Sequence, residues 1–399
     1  LTERRLAVLA GVVLIAANLR VAVTSLGAVL DQARADLGLS AVTASIAATL
    51  PVVCFGLVAV GTPGLVRRVG AAAGLALSLG LLAMGLLVRV AGGEGTLLGG
   101  TFLACAGIAT ANVLVPVIVK TEFPDRIGEV TGTYSAVLSL GAAMGAAATV
   151  PIAGITGGWR GGLAVWSVLA VVALLAWLPQ VRRSVRPAEA GVSARAMMRS
   201  PVAWAVTLLF ATQSLLAFVV MAWLPAMYRD AGFSSAQAGV LLAVTVLIGV
   251  PVYVLVPVLA TRMRGQGYLG VGLTVFQILG LTGLLEAPAT VPWLWAVLIG
   301  VGGGVFPLVL TLFSLRTRST ADTATLSALA QGGGYLLAAG GQFLLGVLRD
   351  TTGSWSRPIL VMIGVCLAQV ALSFAAGRPR FAQGVHPPTV TPTGESSTP

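Results

Sequence analysis

The chain is expected to be an all-α integral membrane protein, with twelve transmembrane helices in two pseudo-symmetric six-helix bundles. Three observations predict this. Hydrophobic residues make up 57% of the 399 and charged residues only 9%, with a mean hydropathy of +0.96, whereas an ordinary soluble domain carries roughly 25% charged residues. The apolar residues gather in runs of about 20, the length that lipid asks of a spanning helix. The second part of the chain also repeats features of the first.

Charges, Pro-Gly breaks and polar clusters set the spans in order. The first, 6–30, is apolar apart from Asn18, Arg20, Thr24 and Ser25. Its length, its arginine and the lack of a small-residue cleavage site read as a retained span, not a removed signal peptide. The second, 42–66, stops at Arg67 and Arg68, and the third, 71–90, has little polar beyond Ser78. The fourth, 96–119, carries Thr110, Asn112 and Pro116 and ends at Lys120, the only lysine. The fifth, 127–154, is polar at Thr131, Thr133, Tyr134, Ser135 and Ser139, and the sixth, 162–179, has little beyond Ser167. Residues 180–200, "QVRRSVRPAEAGVSARAMMRS", hold five arginines and form a cytoplasmic linker between an N-terminal bundle (1–179) and a C-terminal bundle (201–376). The seventh span, 202–227, holds Thr207, Thr212, Gln213 and Ser214; the eighth and ninth are 236–260 and 268–285. The tenth, 291–315, contains Pro307, the eleventh, 323–347, contains Thr325, Ser327, Gln331, Tyr335 and Gln342, and the twelfth, 358–376, has little beyond Gln369. The Pro-, Ser- and Thr-rich tail, 377–399, holds the only histidine, His386, and is expected to be disordered.

A shift of 194 positions places Asp36, Gly38 and Ser40 on Asp230, Gly232 and Ser234, and Pro63, Leu65 and Arg68 on Pro257, Leu259 and Arg262. A shift of 196 places "TGGWR" at 156–160 on "TGSWS" at 352–356. Parallel six-helix repeats are the architecture of a transporter with its substrate site near the midplane between them.

The net charge of +11 is distributed as topology. With both termini cytoplasmic, 17 positive residues fall on the cytoplasmic side, six, Arg89 among them, on the other, and Arg20 inside the membrane. The positive-inside rule favours this orientation, in a plasma membrane, over a nucleic-acid patch. Cys54, Cys105 and Cys366 sit singly in apolar spans and read as core packing. A membrane enzyme would need a cluster of His, Asp, Glu or Cys at depth, and a retinal-type receptor a mid-span lysine; neither pattern is present. No catalytic residue, metal or cofactor is expected. The partners are a small-molecule substrate and the lipid bilayer, with no nucleic acid, and the chain is expected to act as a monomer.

An arginine at the centre of a span costs about 2.5–3.5 kcal/mol on the insertion scale. No Asp or Glu stands at the depth of Arg20, since Asp31 is at the far end of the same helix and Glu129 near the start of the fifth. An unpaired cation there suits an anion or a strongly dipolar substrate; the other reading is a structural arginine capping free carbonyls. Thr24, four residues on, shares its face. Asn18, two away, points about 200° round the helix and suits an interhelical hydrogen bond better, though it stays a candidate contact. Gln331 and Tyr335 are also four apart, and with Asn112, Gln213 and Tyr134 they complete the candidate substrate-binding set; Asn112 and Gln213 serve equally as helix-helix hydrogen bonds. Pro116 and Pro307 free the carbonyls of Asn112 and Gly303 and are hinge or gate candidates, against plain packing kinks.

The stretches "NLRVAVTSLG" at 18, "ANVLVPVIVK" at 111, "FPDRIGEVTGTYSAVLSLGAA" at 123, "SLLAFVVMAWLP" at 214, "FPLVLTLFSLR" at 306 and "LSALAQGGGYLLAAGG" at 326 resemble the cyanate and 2-nitroimidazole transporter family of the major facilitator superfamily. The resemblance runs from about residue 6 to 376. It implies the major facilitator fold, alternating access by rocking of the two halves, and Arg20, Asn112, Gln213 and Gln331 as places to look for contacts. The expected function is movement of a small anion or polar solute such as cyanate, with export of 2-nitroimidazole or related drug-like compounds as the alternative. Val21 stands where the family often has proline. The superfamily's loop signature is reduced to "PGLVRRVGAA" at 63–72, with Arg67 in place of its acid. Arg67, Arg68 and Arg262 are therefore gate candidates without the usual salt bridge. With no protonatable group at the midplane, facilitated movement, exchange, or proton coupling through the substrate itself is expected.

Overall fold

The computed structural model describes residues 3–182 and 192–382. All the regular structure in them is helical. The spans are α1 (Glu3–Leu37), α2 (Ala41–Val69), α3 (Ala71–Val88), α4 (Glu94–Glu122), α5 (Ile127–Ile155) and α6, in two pieces (Trp159–Ala164 and Trp166–Val181). The second half has α7 (Pro201–Asp230), α8 (Ser235–Arg262), α9 (Gly267–Glu286), α10 in two pieces (Pro292–Gly302 and Val305–Leu315), α11 (Thr320–Thr352) and α12 (Ser356–Gly377). Eleven of these spans are long and apolar enough to cross a membrane by length and composition. The twelfth, α11, has 33 residues but carries Thr, Ser, Gln and Gly along its buried side. Its polar side faces α2, α4 and α7, while Leu337, Phe343 and Leu344 are exposed on the other side.

An even number of crossings brings Glu3, Val181, Pro201 and Gly377 to one end, called here the linker end. Inside the first half α1 packs on α5 and α3 on α4, and inside the second α7 packs on α11 and α9 on α10 and α12. Between the halves run the equivalent pairs α2–α11 and α5–α8. Close approach needs glycine: a Cβ on Gly141 would lie 2.4 Å from the Ala17 carbonyl of α1, and one on Gly132 would lie 2.6 Å from the Val254 carbonyl of α8. The outer helices α3, α6 and α12 expose Met84, Leu87, Leu175, Leu178, Leu360 and Leu367, as a lipid-facing surface requires.

The repeated residues have repeated jobs. Gly38 and Gly232 take positive φ (63° and 96°), a conformation glycine adopts without steric cost, and so end α1 and α7. Ser40 and Ser234 then accept from the amides of Thr43 and Gln237 to start α2 and α8. Asp36 accepts from the indole of Trp159 at 3.0 Å and from Arg160, while Asp230 accepts from the indole of Trp355 at 2.8 Å and from Arg349.

Part of the predicted linker is helical (Ala194–Met197), and the Val192 amide donates to Asp322 on α11. Its centre, 183–191, and the tail from 383, with His386, lie outside the described residues. Arg89 corrects the charge map. Its side chain, expected among the charges on the far side at the end of the third span, is 0% exposed and donates to the Ala22 carbonyl at 2.8 Å and the Ser25 hydroxyl at 3.2 Å. A residue at the C-terminal end of a helix points its side chain back toward the N-terminus, here into the bundle.

Candidate functional site

A cavity of about 110 Å³ lies between the halves at the middle of the spans. Arg20 of α1 and Ser139 of α5 reach it from the first half, and Gln213, Ser214 and Phe218 of α7, Tyr253 of α8, Gln277 of α9 and Phe306 of α10 from the second. It is several times the roughly 30 Å³ share of one liquid water, so it has room for a small solute.

Arg20 is its only charge. The guanidinium carbon lies 5.6 Å from the Phe218 ring centre and 5.8 Å from that of Phe306. Such cation-π contacts contribute about 0.5–2 kcal/mol each. Among the described residues the guanidinium makes no ion pair, and its five N–H donors have no protein acceptor. The aromatic rings orient the cation without neutralising it.

The second half brings amides and hydroxyls. Gln213 is 1% and Gln277 2% exposed, and the Oε1 of each is enclosed without a hydrogen-bond partner, as is Oγ of Ser214. A buried polar group left unpaired costs about 1–3 kcal/mol.

The other predicted contacts are placed elsewhere. Asn18 is 2% exposed and donates to the carbonyls of Leu14 at 2.8 Å and Leu169 at 3.3 Å, tying α1 to α6. Thr24 shares the face of Arg20 but back-bonds to its carbonyl at 3.2 Å and packs on Gly145 of α5. Tyr134 is buried with its hydroxyl unpartnered, off the cavity wall. Tyr335 sits behind Phe218, 6.1 Å between ring centres, in a cluster with Phe55 and Phe210 at 5.4 and 5.0 Å. Gln331 and Asn112 do meet, though not at the cavity: Gln331 Nε2 donates to the Asn112 carbonyl at 2.9 Å and to Ser327 at 2.8 Å. That carbonyl is the one Pro116 releases; α4 is continuous through the proline, and the freed acceptor is capped from the other half. In α10 the helix is interrupted at Gly303–Gly304, and the Gly303 carbonyl takes the Phe306 amide three residues on, at 3.0 Å.

Arg67, Arg68 and Arg262 are exposed and make no ion pair among the described residues. The charged contact across the halves at the linker end is made by Lys120, whose ammonium donates to the Ser314 carbonyl and the Thr317 hydroxyl, each at 2.9 Å, and to the Thr317 carbonyl. Sequence reasoning passed over Lys120, Tyr253 and Gln277. The lone glutamine in an apolar ninth span was the visible signal; the aromatic frame of Arg20 had none, because its rings come from α7 and α10.

The Major Facilitator Superfamily profile matches residues 9–337. Curated relatives are the uncharacterized transporter YycB of Bacillus subtilis (strain 168), 35% identical over 93% of each chain, and the 2-nitroimidazole transporter of Escherichia coli (strain K12), 34% identical over 94% of this chain and 96% of the other. The cyanate transport protein CynX of the same organism is 32% identical over 92% and 96%. Among solved structures, the proton:xylose symporter XylE, bound to 6-bromo-6-deoxy-D-glucose, superposes with a TM-score of 0.77 over 95% of this chain and 98% of its own at 12% identity. That likeness is one of fold.

Proposed function

Because the chain belongs to the major facilitator superfamily, and is thus a multi-pass membrane transporter of a small molecule, we propose that it moves a small conjugated anion or strongly dipolar solute such as cyanate, by alternating access. The observation that carries this is Arg20, an unpaired guanidinium held between two aromatic rings in a mid-depth cavity. A cation at the middle of the spans without a carboxylate is costly unless a ligand supplies the negative partner. Oxygen or nitrogen acceptors of a planar anion fit its fork.

Export of a 2-nitroimidazole-like compound is the second reading. Phe218, Phe306 and Tyr253 favour it, since they offer faces to a flat ring while Arg20 takes the nitro group. The arginine distribution supports a plasma-membrane location with both termini cytoplasmic. The cross-half contacts at Lys120 and Gly132 then lie on the cytoplasmic side, as in a state closed toward the cell interior. The absence of an acid among the cavity residues favours facilitated movement, exchange, or a proton carried by the substrate.

Uptake of labelled cyanate and of labelled 2-nitroimidazole by proteoliposomes tests the reading, with Arg20→Gln beside the wild type. Cyanate flux that the substitution abolishes supports the anion site. Flux of the nitroimidazole alone, unchanged by Arg20→Gln, assigns Arg20 to structure and favours export. A pH-driven flux lost on replacing Glu129 or Asp31 would overturn the coupling scheme.

A further inference from the structure

Gln277 belongs to an outer helix, α9, yet lines the cavity. It does so through a gap in the inner helix. A Cβ on Gly302 would lie 2.4 Å from Cβ of Gln277, and Gly300 and Gly303 form the neighbouring wall at the break in α10. With ordinary side chains there, α10 would screen α9 from the cavity.

Three other buried glutamines, Gln331, Gln369 and Gln266, are used by the fold. Gln331 caps Asn112, Gln369 donates to Thr274, and Gln266 donates to the carbonyls of Ala260 and Met263. Gln277 and Gln213 have no hydrogen bond within the described residues, and their amide oxygens are enclosed. Arg20 offers donors only, whereas a carboxamide offers a donor edge and an acceptor. Rotating the amide exchanges the two, so either can be turned to a ligand. Two such amides on the second half, with Arg20 on the first, match a flat molecule whose one end accepts and whose other end donates.

Resting on the reading of this cavity as the substrate site, we propose that Gln277 is a specificity-determining residue. It selects planar solutes that carry an N–H or O–H donor as well as the acceptor group held by Arg20. An acceptor-only anion such as cyanate is met by the amide's NH2 edge, whereas between two planar ring solutes of one shape a site that hydrogen-bonds an N–H or O–H rejects the analogue that lacks it.

Matched pairs differing only in the donor test this: 2-nitroimidazole against 1-methyl-2-nitroimidazole, imidazole-4-carboxylate against its N-methyl derivative, and 4-hydroxybenzoate against 4-methoxybenzoate. Binding to the purified full-length protein is measured by calorimetry for the wild type, Gln277→Met and Arg20→Gln. The donor-bearing member should bind the wild type at least about fivefold better in one or more pairs. That preference should vanish in Gln277→Met, while Arg20→Gln weakens both members alike. No preference in any pair overturns the proposal from the wild type alone, whatever the variants do; so does a preference that survives Gln277→Met. If Arg20→Gln changes nothing while the preference still depends on Gln277, the anion reading of Arg20 falls and the role of Gln277 stands.

Discussion

Arg20 owes its orientation to two rings and its reactivity to what is missing around it. Phe218 and Phe306 hold the guanidinium without taking its hydrogen bonds, so the full donor set is available to a ligand. Charge-assisted hydrogen bonds contribute about 1.5–3 kcal/mol, so Arg20→Gln should weaken binding of an anionic substrate roughly 10- to 150-fold, measured by titration of the purified protein. Arg20→Lys should recover only part of this, because an ammonium keeps the charge and loses the planar fork. The sequence exposed this residue because a lone mid-span arginine is improbable on cost. It could not sort the polar residues around it. Asn18 and Gln331 look like ligands as residue types, yet their acceptors are the carbonyls of Leu169 and Asn112 on other helices, and which carbonyl lies opposite a side chain is decided by packing.

At the scale of helices, contact between the halves at the linker end includes a cation and a missing side chain. Lys120 of α4 reaches the C-terminal carbonyls of α10, where a helix dipole favours positive charge. Gly132 lets α5 touch the backbone of α8. Lys120→Gln should shift the population toward the state open at that end by about 10- to 100-fold. Gly132→Ala should do so through steric contact with the Val254 carbonyl. Distances between spin labels on α5 and α8 at the linker end should lengthen in both variants; unchanged distances would remove these contacts from the gate. The spans were legible because apolar length and charge breaks decide them; a helix stands at each expected span, most with ends extended, as in α1 from Glu3 to Leu37, whereas α3 ends two residues early at Val88 and α10 begins at Pro292. The interruption of α10 fell at Gly303–Gly304, while α4 runs unbroken through Pro116, as α2, α5, α7 and α8 run through their own prolines, and Gln331 caps the carbonyl that Pro116 frees. A proline pattern alone does not distinguish the two outcomes.

For the molecule as a whole, the repeat is the organising fact. The pairs Asp36–Trp159 and Asp230–Trp355 pin the far ends of the two halves in the same way, without crossing between them. Asp36→Asn and Asp230→Asn should therefore each lower the thermal midpoint of the purified protein slightly, with effects that add, because distant sites act independently. Strong non-additivity would mean that the halves communicate at that end. The asymmetry between the halves matters equally: the cation comes from the first and the carboxamides from the second, so in the proposed rocking mechanism a solute held between them would couple the two halves.

The central claim is that Arg20 binds the transported solute in a cavity opened to each side in turn. Ser139→Cys tests it most directly, since Ser139 lines that cavity and the native Cys54, Cys105 and Cys366 are buried. A membrane-impermeant maleimide, applied to oriented vesicles from either side, should label Cys at 139 from both. Cyanate or a nitroimidazole should protect it, and protection should disappear when Arg20→Gln is added. Labelling from one side only, or protection that persists without the arginine, would contradict the account.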